Sequence, residues 1–331
     1  MPSDPHNTPP SGNASWARLD KLLAPLQWDW PGWLPRGFLT VLAAEPGVGK
    51  SALCLRLAAC YLSRHDWPDG APFDVRPGPV LWCESEASQF LNLDRARRWQ
   101  LDLSRILSPL DNPLYNFKLD RPRQREALLR LANRQDVRFI ILDSLRGLRS
   151  PGRHAMPIGE LLLYLADIAR ISGKAVLLTH HLRKQTTVDN NGQVTVDRLL
   201  GSGAVAQIAR VVWAVDAPDP FDPQHRRLSV IKNNLAPLAP PLGMRISDQG
   251  PEFGPAPLPP AAVPSELERA VQFLRLNLAG GPQPFKSLRD DFHAAGFSGP
   301  TMRRAKKRLA VVSLRLPGQK EWYWDLPGEK H

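Results

Sequence analysis

The chain has 331 residues, with 43 Lys and Arg against 32 Asp and Glu, a formal net charge of +11, 34 prolines and three cysteines. That length supports about two domains with a real hydrophobic core, and no run reaches the roughly 18 unbroken apolar residues of a membrane span. Excess positive charge favours a polyanionic partner, while Cys54, Cys60 and Cys83 lack the paired short spacing of a zinc site and read as buried thiols.

Residues 1–15, rich in Pro, Ser, Asn and Asp, read as a disordered tail. Met1 to Gly12 has neither the basic start nor the apolar core of a signal peptide, so a soluble, cytoplasmic protein without a membrane partner is expected. A short amphipathic helix from Leu19 to Leu26 leads into the Trp-dense turn segment Trp28 to Gly37, whose rings are expected to pack locally. The apolar run Phe38 to Ala43 then meets Ala44-Glu45-Pro46-Gly47-Val48-Gly49-Lys50-Ser51, and a helix-like run follows from Ala52 to Ala59. Strand, glycine loop, Lys-Ser and helix is the order of a P-loop, although Ala44 stands where the strict motif has Gly. Gly47 and Gly49 let backbone N–H groups turn toward a phosphate, and the helix N-terminus adds its dipole. Residues Glu45 to Ala52 are therefore expected to bind ATP, with Lys50 on the β- and γ-phosphates and Ser51 on Mg²⁺.

Further on, Val80 to Cys83 reads as a short buried strand ending in Glu84-Ser85-Glu86, before an Arg-rich helix from Gln89 to Trp99. Carboxylates at the C-terminal end of such a strand lie where open α/β sheets bind ligands. After a helix at about Gln124 to Arg134, the strand Val137 to Ser144 carries Asp143 in the Walker B position, which would hold Mg²⁺ through water. A basic loop with Arg146 and Arg149, a helix from Ile158 to Ile171, and a strand from Ala175 to Thr179 ending in His180-His181 come next. A polar segment with Arg183 and Lys184 precedes a short helix starting near Ser202, then strands at 211–215 and 227–232. Alternating strands and helices predict an α/β fold with a mostly parallel sheet over residues 16–250.

Prolines crowd residues 251–264, which read as a linker. Residues 265–331 read as a small domain with helices Glu266 to Leu278, Phe285 to Ala295 and Thr301 to Leu309, and a hairpin of Val311 to Leu316 with Glu321 to Asp325. Three helices and a hairpin make a winged-helix-like domain, with Arg303, Arg304, Lys306 and Lys307 on the helix expected to face nucleic acid.

Together these motifs resemble the RepA-like branch of the RecA-fold P-loop ATPases, AAA_25-like hexameric replicative helicases of plasmids and phages, over about Leu26 to Ile246. The resemblance rests on Pro35-Arg36-Gly37, the P-loop, Val80 to Ser88, Leu142-Asp143-Ser144, Thr179-His180-His181, Gly201-Ser202-Gly203-Ala204 and Ile231-Lys232-Asn233. It implies a RecA-like core and ATP hydrolysis at subunit interfaces of a ring, with single-stranded DNA as partner and a replication initiator or primase as a further one. It assigns the water-activating role to Glu86, with Glu84 as competitor, and γ-phosphate sensing to His180 or His181. Arg146, Arg149, Arg183 and Lys184 would line the DNA channel. Where the helicases carry a Lys-x-Arg pair that reaches the neighbouring subunit's ATP, this chain has Lys232-Asn233-Asn234, leaving Lys232 alone or with an Arg elsewhere, such as Arg210. The missing Arg leaves a second function open, an ATP-switched DNA-binding regulator or helicase loader with slow turnover.

Overall fold

A computed structural model describes residues 15–22, 25–112, 114–152, 155–182, 194–199, 202–219, 221–257 and 265–327. The chain divides into two compact units, residues 1–259 and 260–331.

In the first unit, each short apolar run that ends in a polar residue becomes a strand. The elements are α1 (Trp16–Leu22), β1 (Trp28–Trp30), β2 (Leu34–Pro35), β3 (Leu39–Ala44), α2 (Lys50–Ser63), β4 (Val80–Glu84), α3 (Gln89–Arg98) and β5 (Ile106–Leu107). They continue with α4 (Pro122–Ala132), β6 (Phe139–Asp143), α5 (Ile158–Ser172), β7 (Ala175–His181), α6 (Ser202–Ile208), β8 (Val211–Asp216), β9 (Arg226–Asn233), β10 (Leu242–Ser247) and β11 (Gly250–Pro255). Nine strands form one sheet in the order β11-β10-β9-β8-β3-β7-β6-β4-β5. From β5 to β8 all neighbours are parallel, and β9, β10 and β11 complete the sheet antiparallel. Every residue of β3, β4 and β6 is buried, as expected of parallel strands covered on both faces. The chain passes from β3 through α2 to β4, which lies beyond β7 and β6. The carboxyl ends of β3, β7, β6 and β4 are thereby set side by side, the edge at which such sheets take ligands.

Apolar all round, α2 is buried along nearly its whole length, which marks it as a central helix. It packs with Met244, Ile246 and Phe253 of the β10–β11 hairpin in one core cluster. Trp30 and Trp33 join that cluster, stacked with ring centroids 4.5 Å apart, and Trp213 meets Trp30 edge-on at 5.6 Å. The Trp-dense segment is thus a two-strand hairpin, β1 with β2, that inserts its rings into the core.

Two expectations change here. The helix before the hairpin occupies Trp16–Leu22 rather than Leu19 to Leu26. Residues 251–255, read as linker, are strand β11. The prolines misled because Pro251 and Pro255 lie on the outermost strand of the sheet, where a missing N–H costs no ladder bond.

The second unit consists of α7 (Glu266–Leu278), β12 (Gln283–Pro284), α8 (Phe285–Ala294), α9 (Gly299–Arg308), β13 (Val312–Leu314) and β14 (Tyr323–Asp325). Its strands form an antiparallel sheet in the order β12-β14-β13. Ser265 and Glu268 close a capping box at the start of α7. Ser298 caps α9, and Pro300 sits in its first turn. Leu274, Phe292, Met302, Ala305 and Trp324 share its core. No helix among the described residues is long and apolar enough to cross a membrane.

Candidate functional site

Beyond the carboxyl end of β3, the chain turns through Glu45 to Gly49 into α2. Gly47 and Gly49 have φ of +80° and +108°, conformations that a side chain resists. No side chain caps the first turn of α2, so its N–H groups are open to an anion that the helix dipole also favours. Lys50 is buried, and its Nζ donates to the carbonyls of Ala44 at 3.3 Å and Glu45 at 3.2 Å. Burial holds its pKa below the ordinary lysine value, against the opposing charges of Asp143 and Glu86. Glu45 itself pairs with Arg198, Nη2 to Oε1 at 3.0 Å.

Asp143, at the end of β6, accepts from both neighbours. Ser51 Oγ reaches its Oδ2 at 2.6 Å, and Thr179 Oγ1 of β7 reaches its Oδ1 at 2.5 Å. A hydroxyl and a carboxylate held together are oxygen donors of the kind Mg²⁺ takes along with phosphate oxygens and water, so Ser51 and Asp143 fit that ion.

The two glutamates of the β4–α3 turn part company. Glu84 is buried and fully engaged, its Oε1 accepting from Glu86 N at 3.0 Å and its Oε2 from Asn92 Nδ2 at 2.8 Å. Burial, then the charge of Asp143, raise its pKa above the ordinary glutamate value. Glu86 keeps 33% of its side chain exposed. Its Oε1 accepts from the Ser144 hydroxyl and lies 3.2 Å from His181 Nε2. Burial would raise its pKa too, but hydrogen bonds from Ser144 and His181, with the charges of His181 and Lys50, hold it below the ordinary value. A third side chain fixes the geometry. Ser85 Oγ accepts from Ser144 N at 2.7 Å and lies 2.9 Å and 2.8 Å from the carbonyls of Asp143 and Ser144. The Asp143–Ser144 peptide is cis. Gly147 leaves room for this contact, since a Cβ there would stand 2.4 Å from the Ser85 carbonyl oxygen.

A family model described as an AAA domain, AAA_25, matches residues 4–187, more than half of the chain. The chain belongs to the AAA_25 family. This is a family of RecA-like P-loop ATPases. The AAA_25 chain is similar to a KaiC-like protein of the hyperthermophilic archaeon Pyrococcus horikoshii, at 16% identity over 70% of this chain and 100% of that one, with a TM-score of 0.51. A RadB recombinase is 17% identical over 66% of this chain and 91% of that one, with a TM-score of 0.45. The KaiC-like likeness shows the RecA-like fold. No curated protein matches the sequence.

Most of the remaining expected residues fall outside this cluster of contacts or in the second unit. Of the two histidines, His181 contacts Glu86, whereas His180 is buried at 4% exposure. Lys232 is not part of the cluster. Its register partner Val212 sits at the amino-terminal end of β8, the edge opposite the P-loop, and its Nζ donates to the carbonyls of Ala206 and Ala209 at the end of α6. Arg146 is exposed, and Arg149 is half-buried with its Nε lacking an acceptor among the described residues. Arg183 and Lys184 lie outside the described residues. On α9, Arg303, Arg304 and Lys307 are exposed, while Lys306 donates to Ser313 Oγ at 2.7 Å and lies 4.4 Å over the Trp324 ring. Sequence reasoning missed Ser85, Ser144 and Thr179. The available signal was a hydroxyl residue near the carboxyl end of each of these apolar strands, Thr179 level with Asp143 and Ser85 and Ser144 one residue beyond their strands.

Proposed function

We propose that the chain is an ATP-driven DNA translocase or helicase of the RepA-like type, acting in plasmid or phage replication and hydrolysing ATP at the subunit interfaces of a ring. The observation that carries this reading is the contact of Glu86 with His181, the end of β7 from which the chain runs on to Arg183 and Lys184. A base for hydrolysis thereby touches the residue from which the chain runs into a segment expected to meet DNA.

ATP would lie with its phosphates at the N-terminus of α2, where the uncapped N–H groups and Lys50 Nζ meet the β- and γ-phosphates. Mg²⁺, held by Ser51 and through water by Asp143, would supply charge neutralisation on the phosphate oxygens. Glu86, ionised because Ser144 and His181 donate to it, orients a water in line with the γ-phosphate and accepts its proton. As the γ-phosphate leaves, His181 releases its contact with Glu86 and passes that change to the segment that follows β7. In this reading, Arg303, Arg304 and Lys307 on a winged-helix-like second unit add phosphate contacts that carry affinity without sequence preference.

Strand displacement on a forked DNA duplex with ATP, with Lys50→Ala as control, tests the proposal. Unwinding that vanishes in the variant supports a helicase. A second reading, an ATP-switched regulator or loader, is favoured by two observations: Lys232 is engaged with the carbonyls at the end of α6, and position 234 is Asn. Absence of unwinding, with DNA binding that follows nucleotide state, would select it.

A further inference from the structure

At the sheet edge opposite the P-loop, four cations surround a cavity of about 230 Å³. Arg36 precedes β3, Arg76 precedes β4, Arg138 precedes β6 and Lys174 precedes β7, so parallel strand order alone brings them together. Among the described residues the one carboxylate that lines the cavity is committed, because Asp29 accepts from Arg36 Nε and, at 2.5 Å, from the hydroxyl of Tyr61, and Asp136 beside the cavity is paired with Arg134. Lys174 Nζ donates to the Ala132 carbonyl at 2.6 Å and has protons to spare. Arg138 Nε is buried, with no acceptor among the described residues. Its side chain lies flat over Gly78, where a Cβ would come within 2.5 Å of Arg138 Cγ. Burial, then the charges of Arg76 and Arg36, lower the Arg138 pKa against the opposing charges of Asp136 and Asp29, and burial, then the charge of Arg138, lower that of Lys174 against Asp136. Buried donors without acceptors and like charges facing one another are both costly, and one tetrahedral anion relieves both.

We propose that Arg36, Arg76, Arg138 and Lys174 form a binding site for a phosphate group, separate from the P-loop. The fork of Arg138 and the exposed Arg76 suit the bidentate pairing that arginine makes with phosphate oxygens. The group is either free phosphate or a phosphodiester of single-stranded DNA, and the site stands whether or not the chain is a helicase.

Thermal unfolding of the full chain with and without inorganic phosphate, at constant ionic strength and with MgADP in every sample to occupy the P-loop, tests the site. Phosphate raises the midpoint of the native protein by about 2–4 °C, and Arg138→Gln removes that rise while leaving the phosphate-free midpoint unchanged or higher. Arg76→Ser, at an exposed position, gives the same loss and serves if Arg138→Gln does not fold. Fluorescence anisotropy with a labelled single-stranded oligonucleotide separates the two sources. About fivefold weaker binding with a shallower salt dependence in the variants assigns the site to a DNA phosphodiester. Unchanged DNA binding with the phosphate response lost assigns it to free phosphate. An equal rise with phosphate in the native protein and both variants overturns the proposal.

Discussion

Glu84 and Glu86 are two residues apart at one strand end, yet their surroundings drive them in opposite directions. Glu84, raised by burial and by Asp143, favours folding through its neutral form, a contribution present below the ordinary glutamate pKa and lost as pH rises through its higher folded value. Glu86, lowered by its hydrogen bonds, favours folding as the carboxylate, a contribution present above the ordinary value and lost as pH falls through its lower folded one. The acid limb of kcat/KM for ATP hydrolysis should therefore fall below the usual glutamate range. Ser144→Ala should move that limb upward, and a limb that stays put would remove Ser144 from this role. Glu86→Gln should cost about 10²–10⁴ in kcat with ATP affinity kept, whereas Glu84→Gln should act mainly on stability. Measuring nucleotide binding beside turnover separates them. In the sequence the resemblance favours Glu86 but leaves Glu84 as competitor, because both follow the end of one apolar run. Asn92 of α3, which holds Glu84, and Ser144 beyond β6, which holds Glu86, give the two their different surroundings, and both arrive through tertiary structure.

Among the elements, the parallel strands and the P-loop were legible because each joins an apolar run to a chemically specific end. The β10–β11 hairpin was not, since its prolines look like linker until β11 is known to be the outer strand. Its Ile246 approaches the P-loop so closely that a Cβ at Gly49 would lie 2.4 Å from Ile246 Cδ1. The tryptophans were legible as core but their packing was not, because Trp67, which stacks on Trp30, and Trp213, which meets Trp30 and Trp33 edge-on, lie far along the chain. Trp30→Ala should cost about 3–5 kcal/mol, read as a fall in denaturant midpoint with unchanged slope. Gly147→Ala should cost about 1–3 kcal/mol and slow hydrolysis, because the Ser85 carbonyl that it meets is backbone and must shift. Hydrolysis at the native rate in this variant would show that the Ser85 contact does not position Glu86.

For the whole molecule, the second unit has its own core and presents exposed Arg303, Arg304 and Lys307. Removing residues 260–331 should leave ATP hydrolysis without DNA intact and weaken DNA binding, with each single Ala substitution on α9 reducing the salt slope by about one. DNA affinity that survives the deletion would assign binding to the ATPase unit alone. In the proposed mechanism one site, built from Lys50, Asp143 and Glu86, turns DNA contact into ATP turnover. Steady-state ATP hydrolysis with and without single-stranded DNA, in the native chain, Lys50→Ala and Glu86→Gln, tests it most directly. The rate should rise with DNA in the native chain and collapse in both variants. A rate indifferent to DNA, or one that persists in Glu86→Gln, would contradict it.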